Sequence, residues 1–236
     1  MFIKIKSRQV PLLIKKSARA KYLRAAFSSD FASITITHPK RCSKRDLQQF
    51  IESQVITWAN DNDRYVSPID LTAESQIILF GQKVLLEQQR DIRSDFILPK
   101  NTDKLKRLIV LYRSKEKVGE LLKCAIFELA EEVFNKWCTQ YADQLNVSYD
   151  RLKIKDLTSR WGSCSKINKS INLSFRLAFA PEAISRYVCA HEVSHLVHAN
   201  HSSTFWQVVS ELDKDYLKHR KWLRNNGAAL HKYNFG

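Results

Sequence analysis

With 236 residues, 44% of them hydrophobic and 11% aromatic, the chain can bury one large core or two small ones, which excludes a disordered protein. No apolar run approaches the ~20 residues of a bilayer-spanning helix, and the opening MFIKIKSRQVPLLIKKSARAKYL lacks the unbroken apolar stretch of a signal peptide; the expectation is a cytoplasmic protein with no membrane partner. The formal charge of +15, from 39 basic against 24 acidic residues, favours polyanions such as nucleic acid or nucleotides, although charge by itself licenses only non-specific binding.

The basic excess is uneven: Lys4, Lys6, Arg8, Lys15, Lys16, Arg19, Lys21 and Arg24 face only Asp30 in the first thirty residues. FASITITHP alternates with period two, placing Phe31, Ile34 and Ile36 on a strand. SKRDLQQFIESQVITWAND then changes period: Leu47, Phe50, Ile51, Val55 and Trp58 recur at helical spacing, with Ser43 as N-cap. SQIILFGQKVLLEQQ reads as two strands around Gly81, a hairpin. DKLKRLIVLYRS, following Pro99, supplies another strand.

From about Lys117 the period becomes helical, and GELLKCAIFELAEEVFNKWCTQYADQLN holds it for some seven turns. RLKIKDLTSRWGSCS and SINLSFRLAFAP read as strands separated by the polar turn KINKS. Pro181 opens the helix PEAISRYVCAHEVSHLVHA. A single last helix is expected over STFWQVVSELDKDYLKHRKWLRNNG, stopped by Gly227. The fold class is α+β: a β-rich region over 1–110, then a helical domain over 111–236 with a small antiparallel sheet. Cysteines at 42, 124, 138, 164 and 189 are odd in number with no C-x-x-C pair, which argues against a disulfide framework and a thiolate zinc site; reduced, mostly buried thiols are expected.

Four of the seven histidines fall between 191 and 201. His191, Glu192 and His195 form H-E-x-x-H, which on a helix puts both imidazoles on one face where they can grip one Zn²⁺. Glu192 can reach a water in the open coordination position and take its proton. Two structural core histidines would satisfy the same spacing but leave the glutamate unexplained. Ile184, Val188 and Leu196 mark the helix as packed inside its domain, where unpartnered polar groups are costly.

A catalytic zinc usually has three protein ligands. On an unbroken helix, His198 lies about 7.5 Å along the axis from the centre of the 191–195 pair, too far to share the ion. His201 follows Ala199-Asn200, where the chain can turn back, and is taken as the third ligand; His198 is assigned to the pocket wall or solvent, and His231 is the outside candidate. The spacing also matches the metzincins, but His198 occupies their glycine position and the only methionine is Met1, so no Met-turn can exist.

A different family fits. Arg160-Trp161-Gly162-Ser163-Cys164, Asn172-Leu173, Arg176-Leu177, Ala180-Pro181, Tyr187-Val188, Asn200-His201-Ser202 and Phe205-Trp206 together resemble the YgjP-like metallopeptidases, also called predicted metal-dependent hydrolases. The match is dense over 151–227 and loose before it. It departs at Lys214, where the family has proline, and at Val193-Ser194, which stand where many members have Leu-Ala and which face away from the metal on a helix. The resemblance implies a zincin-like domain with a gluzincin-like site: His191, His195 and His201 hold zinc and Glu192 is the general base. It also implies kinship with SprT-like proteases, which cut proteins crosslinked to DNA, and an edge strand at 170–177 that takes an extended peptide by strand addition.

Around this centre, Trp161, Gly162 and Ser163 form either a substrate-binding backbone or a tight turn capped by a buried Trp. Cys164 has no neighbouring base in sequence and reads as a buried thiol. Tyr216 and Arg220 are candidates to stabilise an oxyanion, with packing as the plainer role. Phe205 and Trp206 read as core that holds the His201 loop, and Asn200 as a hydrogen-bond partner of the turn or of a ligand imidazole. The function expected is zinc-dependent peptide-bond hydrolysis. The alternatives are a metal-dependent nucleotide phosphoanhydride hydrolase and a DNA-associated binding protein with a weak or vestigial protease site.

Overall fold

The computed structural model describes residues 1–5, 8–28, 32–61, 69–98 and 105–235. Of the positions named above, Lys6, Asp30, Phe31 and Pro99 lie outside the described residues, as do Asp103 and Lys104 at the start of DKLKRLIVLYRS. The chain divides into two compact units, Met1–Ile69 and Asp70–Gly236.

Among the described residues of the first unit, β1 (Phe2–Ile5), β2 (Arg8–Lys16), β3 (Arg24–Phe27) and β4 (Ile34–His38) form a sheet in the order β1-β2-β4-β3. The β2–β4 pair is parallel and the others are antiparallel. The helical segment runs through α1 (Lys44–Phe50), a π-helical stretch at Ile51–Val55, and α2 (Ile56–Asp61). Ser43 Oγ accepts from the Asp46 N–H at 3.0 Å, the N-cap the sequence predicts. The period-two pattern buries Ile34 and Ile36 beside Ile3, Ile5, Val10 and Leu12, and the helical pattern adds Ile51, Val55 and Ala59 to the same cluster.

The second unit opens at the two-residue strand β5 (Ile69–Asp70), which straddles the division. A sheet of β6 (Gln76–Leu79), β7 (Gln82–Arg90), β8 (Asp95–Ile97) and β9 (Arg107–Tyr112) follows in the order β6-β7-β9-β8. Phe80 and Gly81 both have positive φ, 51° and 78°, the requirement of a type I′ hairpin turn. A left-handed phenylalanine is uncommon; here the Phe80 N–H donates to Ala178 O at 2.7 Å and its ring meets Phe134 and Trp137 edge-on.

α3 (Val118–Gln144) is the long helix, burying Leu122, Ala125, Ile126, Leu129, Val133, Phe134 and Trp137 at the expected spacing. Leu71, Ile77, Leu79, Val84, Leu108 and Val110 belong to the same continuous core as α3. That shared core puts the observed division at 69/70, well before the boundary expected near 110.

A second sheet holds β10 (Arg151–Lys155), β11 (Gly162–Ser165) and β12 (Ser170–Ser174) in the order β10-β12-β11. It corrects two expectations. The sheet is mixed: β11–β12 is an antiparallel hairpin, and β10–β12 is parallel because residues 156–161 carry the chain to the far side of the place that β12 takes. The segment 170–177 is therefore no edge, since β12 lies between its neighbours and Phe175–Phe179 is a 3₁₀ turn; the edge beside the next helix is β11.

That helix is α4 (Glu182–Val197), with Pro181 as its N-cap and His198 as its extended C-cap. The single last helix expected is two, α5 (Ser203–Leu212) and α6 (Tyr216–Asn226). Asp213 makes the break: its backbone is extended, and its carboxylate accepts from the Asp215 N–H at 3.0 Å and meets His219 Nδ1 at 2.7 Å. Gly227 is no left-handed stop, because it continues at φ −55° into the 3₁₀ turn Gly227–His231. Glycine is needed there for space: a Cβ would stand 2.8 Å from Trp161 Cζ2. The last strand, β13 (Tyr233–Asn234), accepts the Leu71 N–H at 3.1 Å through Asn234 O.

All five cysteines are free. Cys138 and Cys189 are buried, Cys42 and Cys164 half-buried and Cys124 exposed, so burial holds for fewer thiols than expected. Among the described residues no helix is long and apolar enough to cross a membrane.

Candidate metal centre

α4 is buried on most sides, through Ile184, Tyr187, Val188, Cys189, Ala190, Val193 and Leu196, so its orientation is set by packing. This rigid frame presents His191 and His195 one turn apart on a half-buried stripe. Val193 is buried, and Ser194 Oγ donates back to Ala190 O at 2.7 Å, so neither departure from the family's Leu-Ala intrudes on that stripe.

The helix ends at Val197, two residues short of the Ala199 end expected from the sequence. His198 is therefore off the helical stripe, and the part it plays is played by its backbone: His195 Nδ1 lies 3.0 Å from His198 O. A carbonyl can only accept, so Nδ1 carries the proton and Nε2 keeps its lone pair.

Beyond the break the chain turns through Ala199 and Asn200. Asn200 Oδ1 accepts from the Ser202 N–H at 3.3 Å, which makes Asn200 a turn residue and not a partner of an imidazole. Ser202 caps α5 by accepting from the Phe205 N–H. The turn brings His201 Nε2 to 3.1 Å from His191 Nε2.

The available nitrogens of His191, His195 and His201 lie within 4.8 Å of one another, the one such potential metal-holding group among the described residues. Nitrogens sharing a tetrahedral Zn²⁺ at 2.0–2.1 Å stand roughly 3.4 Å apart, close to the spacing of the facing Nε2 pair. Burial holds His191 neutral by pulling its pKa down to about 3, with His195, His201 and Arg220 adding to the effect. Burial also lowers His195. His191 Nδ1 is buried with no hydrogen-bond partner, so the ring's polar interaction runs through Nε2 alone. Three imidazoles whose nitrogens converge within 4.8 Å, with His195 Nε2 keeping its lone pair, are a donor set suited to zinc. His231, the outside candidate, stands apart from the cluster, buried with its ring 5.3 Å from Trp161.

The two histidine-bearing elements are joined by aromatic packing. Phe205 stacks on His195 with centroids 4.5 Å apart and a 28° interplanar angle. Its neighbour Trp206 stacks on His201 at 5.6 Å and 24°. Tyr216 stacks on Trp206 at 5.5 Å, and the Arg220 guanidinium lies 4.6 Å from the Trp206 ring centre. Tyr216 and Arg220 are thus placed through Trp206. Phe205 is fully buried as expected, whereas Trp206 is only half-buried.

Glu192 is 5% exposed. Burial pushes its carboxyl up to about 8, against the pull of Arg160. Its side chain fills the space where other residues have a Cβ at position 162: an ideal Cβ on Gly162 would lie 2.6 Å from Glu192 Oε1 and 2.7 Å from its Cγ. Gly162 is therefore the means by which β11 approaches the carboxylate. Ser163 Oγ accepts from Asn172 Nδ2 at 3.2 Å within the sheet, and Trp161 packs over Gly227 and His231. Cys164 is no thiolate, since burial, helped by Glu192, pushes its thiol up to about 12.

Arg160 and Tyr187 are legible in the sequence only as residues of the family resemblance, without the contacts they make here, and His219 is not singled out at all. Arg160 faces Glu192 electrostatically. Tyr187 packs 6.0 Å from His191, and four-residue spacing on the helix would have found that contact. His219, paired with Asp213, packs 6.4 Å from Tyr187, and no local pattern marks it.

A comparison with curated proteins finds no match. A family model described as the YgjP-like metallopeptidase domain matches residues 23–226, a span holding the α4 histidines, the His201 turn, Glu192 and Gly162, and reaching back into the first unit. The chain belongs to the YgjP-like metallopeptidase family.

Proposed function

We propose that this chain is a zinc-dependent hydrolase of peptide bonds, with a zincin-like arrangement of helix and sheet. The observation that carries the proposal is the convergence of three imidazoles within 4.8 Å, with the neighbouring carboxylate of Glu192 buried against Gly162. His191, His195 and His201 would hold the ion. When bound, Zn²⁺ supplies Lewis acidity that polarises a carbonyl and makes a water acidic enough to lose a proton near neutral pH.

The remaining work falls to the chain's own groups. Glu192 takes a proton from the attacking water onto a carboxylate oxygen and returns it to the leaving nitrogen. A nearby cation favours the ionised carboxylate and opposes the effect of burial. The free edge of β11 is where an extended peptide would add as a strand, and its Gly162 end lies against Glu192. That edge takes the part expected of 170–177. Arg220 and Tyr216, one ring layer beyond His201, are the side chains proposed to meet charge developing on the carbonyl oxygen.

Glu192→Gln tests the reading. The variant is expected to retain one zinc per chain and lose peptide cleavage by on the order of 10²-fold or more. Full cleavage by that variant would remove Glu192 from the mechanism. Phosphate release from nucleoside triphosphates, with no peptide cleavage by the wild-type protein, would assign the centre to phosphoanhydrides instead.

A further inference from the structure

The charge that the metal centre leaves unexplained is concentrated in the first unit, where residues 1–69 carry 13 Lys and Arg against 5 Asp and Glu. The strand registers organise part of it. Lys15 on β2 pairs with Thr37 on β4, and Thr37 pairs in turn with Arg24 on β3. Residues in register across a sheet point to the same side. Ile36, the neighbour of Thr37, is buried, so the Lys15–Thr37–Arg24 row lies on the outer face.

The loop from β2 to β3 closes over this row. The Ser17 N–H donates to His38 O at 3.0 Å, and the Arg19 N–H donates to Ser17 Oγ at 3.3 Å. Ser17, Arg19, Ala20, Lys21, Tyr22, Arg24 and Thr37 line a cavity of about 380 Å³ that is open to solvent on one side. Asp30, the only acidic residue among the first 45, lies outside the described residues. Among the described residues no carboxylate pairs with Lys15, Arg19, Lys21 or Arg24. Tyr22 is 72% exposed, an unusual position for a large aromatic.

We propose that this cavity binds a segment of single-stranded nucleic acid, with Lys15, Arg19, Lys21 and Arg24 holding phosphates and Tyr22 stacking an unpaired base. Cations with no carboxylate partner among the described residues, set around a concavity, fit a flexible phosphodiester strand, and an exposed tyrosine face adds a contact open only to bases freed from a duplex. The site lies wholly in the first unit and stands independently of the hydrolase reading.

The test is titration of the full-length protein, in chelator, with a mixed-sequence single-stranded oligonucleotide, its duplex, heparin, a free nucleoside triphosphate, and vesicles of phosphatidylcholine and phosphatidylserine. The single strand is expected to bind best. The triple substitution Arg19→Ala, Lys21→Ala, Arg24→Ala should weaken it at least about tenfold and reduce the slope of log affinity against log salt by about 2. Tyr22→Ala should cost about tenfold and Tyr22→Phe little. Because Arg19→Lys with Arg24→Lys keeps the charge, that pair should retain binding, which separates charge loss from misfolding. Unchanged affinity in the triple variant overturns the proposal. So does binding of duplex, heparin, triphosphate or vesicles as tight as the single strand with Tyr22→Ala silent, which is attraction of any polyanion.

Discussion

The two helical histidines and the third one reach their common point by different physical routes. His191 and His195 stand on α4, whose buried faces leave the helix no freedom to rotate, so their spacing is fixed once the core forms. His201 is exposed and sits on a turn, where backbone entropy works against a defined position. It is held by Trp206 stacked on its ring, by the Asn200 turn and by the Ser202 cap of α5. The comparison teaches that the site's weakest element is the loop histidine, and that α5 and α6 supply through aromatic faces what the core supplies to α4.

Substitutions that act through one side and spare the other sharpen this contrast. The largest effect is expected at Gly162. An added Cβ would meet Oε1, Cγ and Cδ of Glu192 within 2.8 Å, so the whole side chain must leave its place. Gly162→Ala should reduce peptide cleavage as severely as Glu192→Gln while zinc binding persists, and should lower stability by about 1–3 kcal/mol through overpacking. Steady-state kinetics with metal analysis on the same preparation checks it; an active variant would show that Glu192 needs no such space.

A smaller effect is expected on the loop side. Trp206→Ala removes the face that carries His201, and zinc affinity should fall by roughly 10–100-fold, the cost typical of losing a group that orients a metal ligand. Trp206→Phe keeps an aromatic face and should recover most of the loss. Competition with a chromophoric chelator measures both, and an alanine variant with wild-type affinity would mean that the turn alone positions His201.

The same contrast explains what could be read in advance. Ser43, the α3 stripe, the Phe80–Gly81 hairpin and the H-E-x-x-H spacing are local patterns, and each appears where its period or cap puts it. Features decided by distant partners were not legible. Strand order β10-β12-β11 depends on non-local pairing, so β12 became central and the edge passed to β11. The α5–α6 break depends on Asp213 meeting His219, six positions along. Gly227 is explained by Trp161, far away in sequence. Within the site, the residue types were readable from spacing, whereas the stacked rings that join the loop to the helix were not.

Metal content of the wild-type protein and of His201→Ala, each saturated with zinc and then dialysed against a weak competing chelator, bears most directly on the three-imidazole centre. The account predicts one zinc per chain in the wild type and none retained by the variant, with both equally folded by circular dichroism. Stoichiometric zinc in His201→Ala, or none in the wild type, would contradict it.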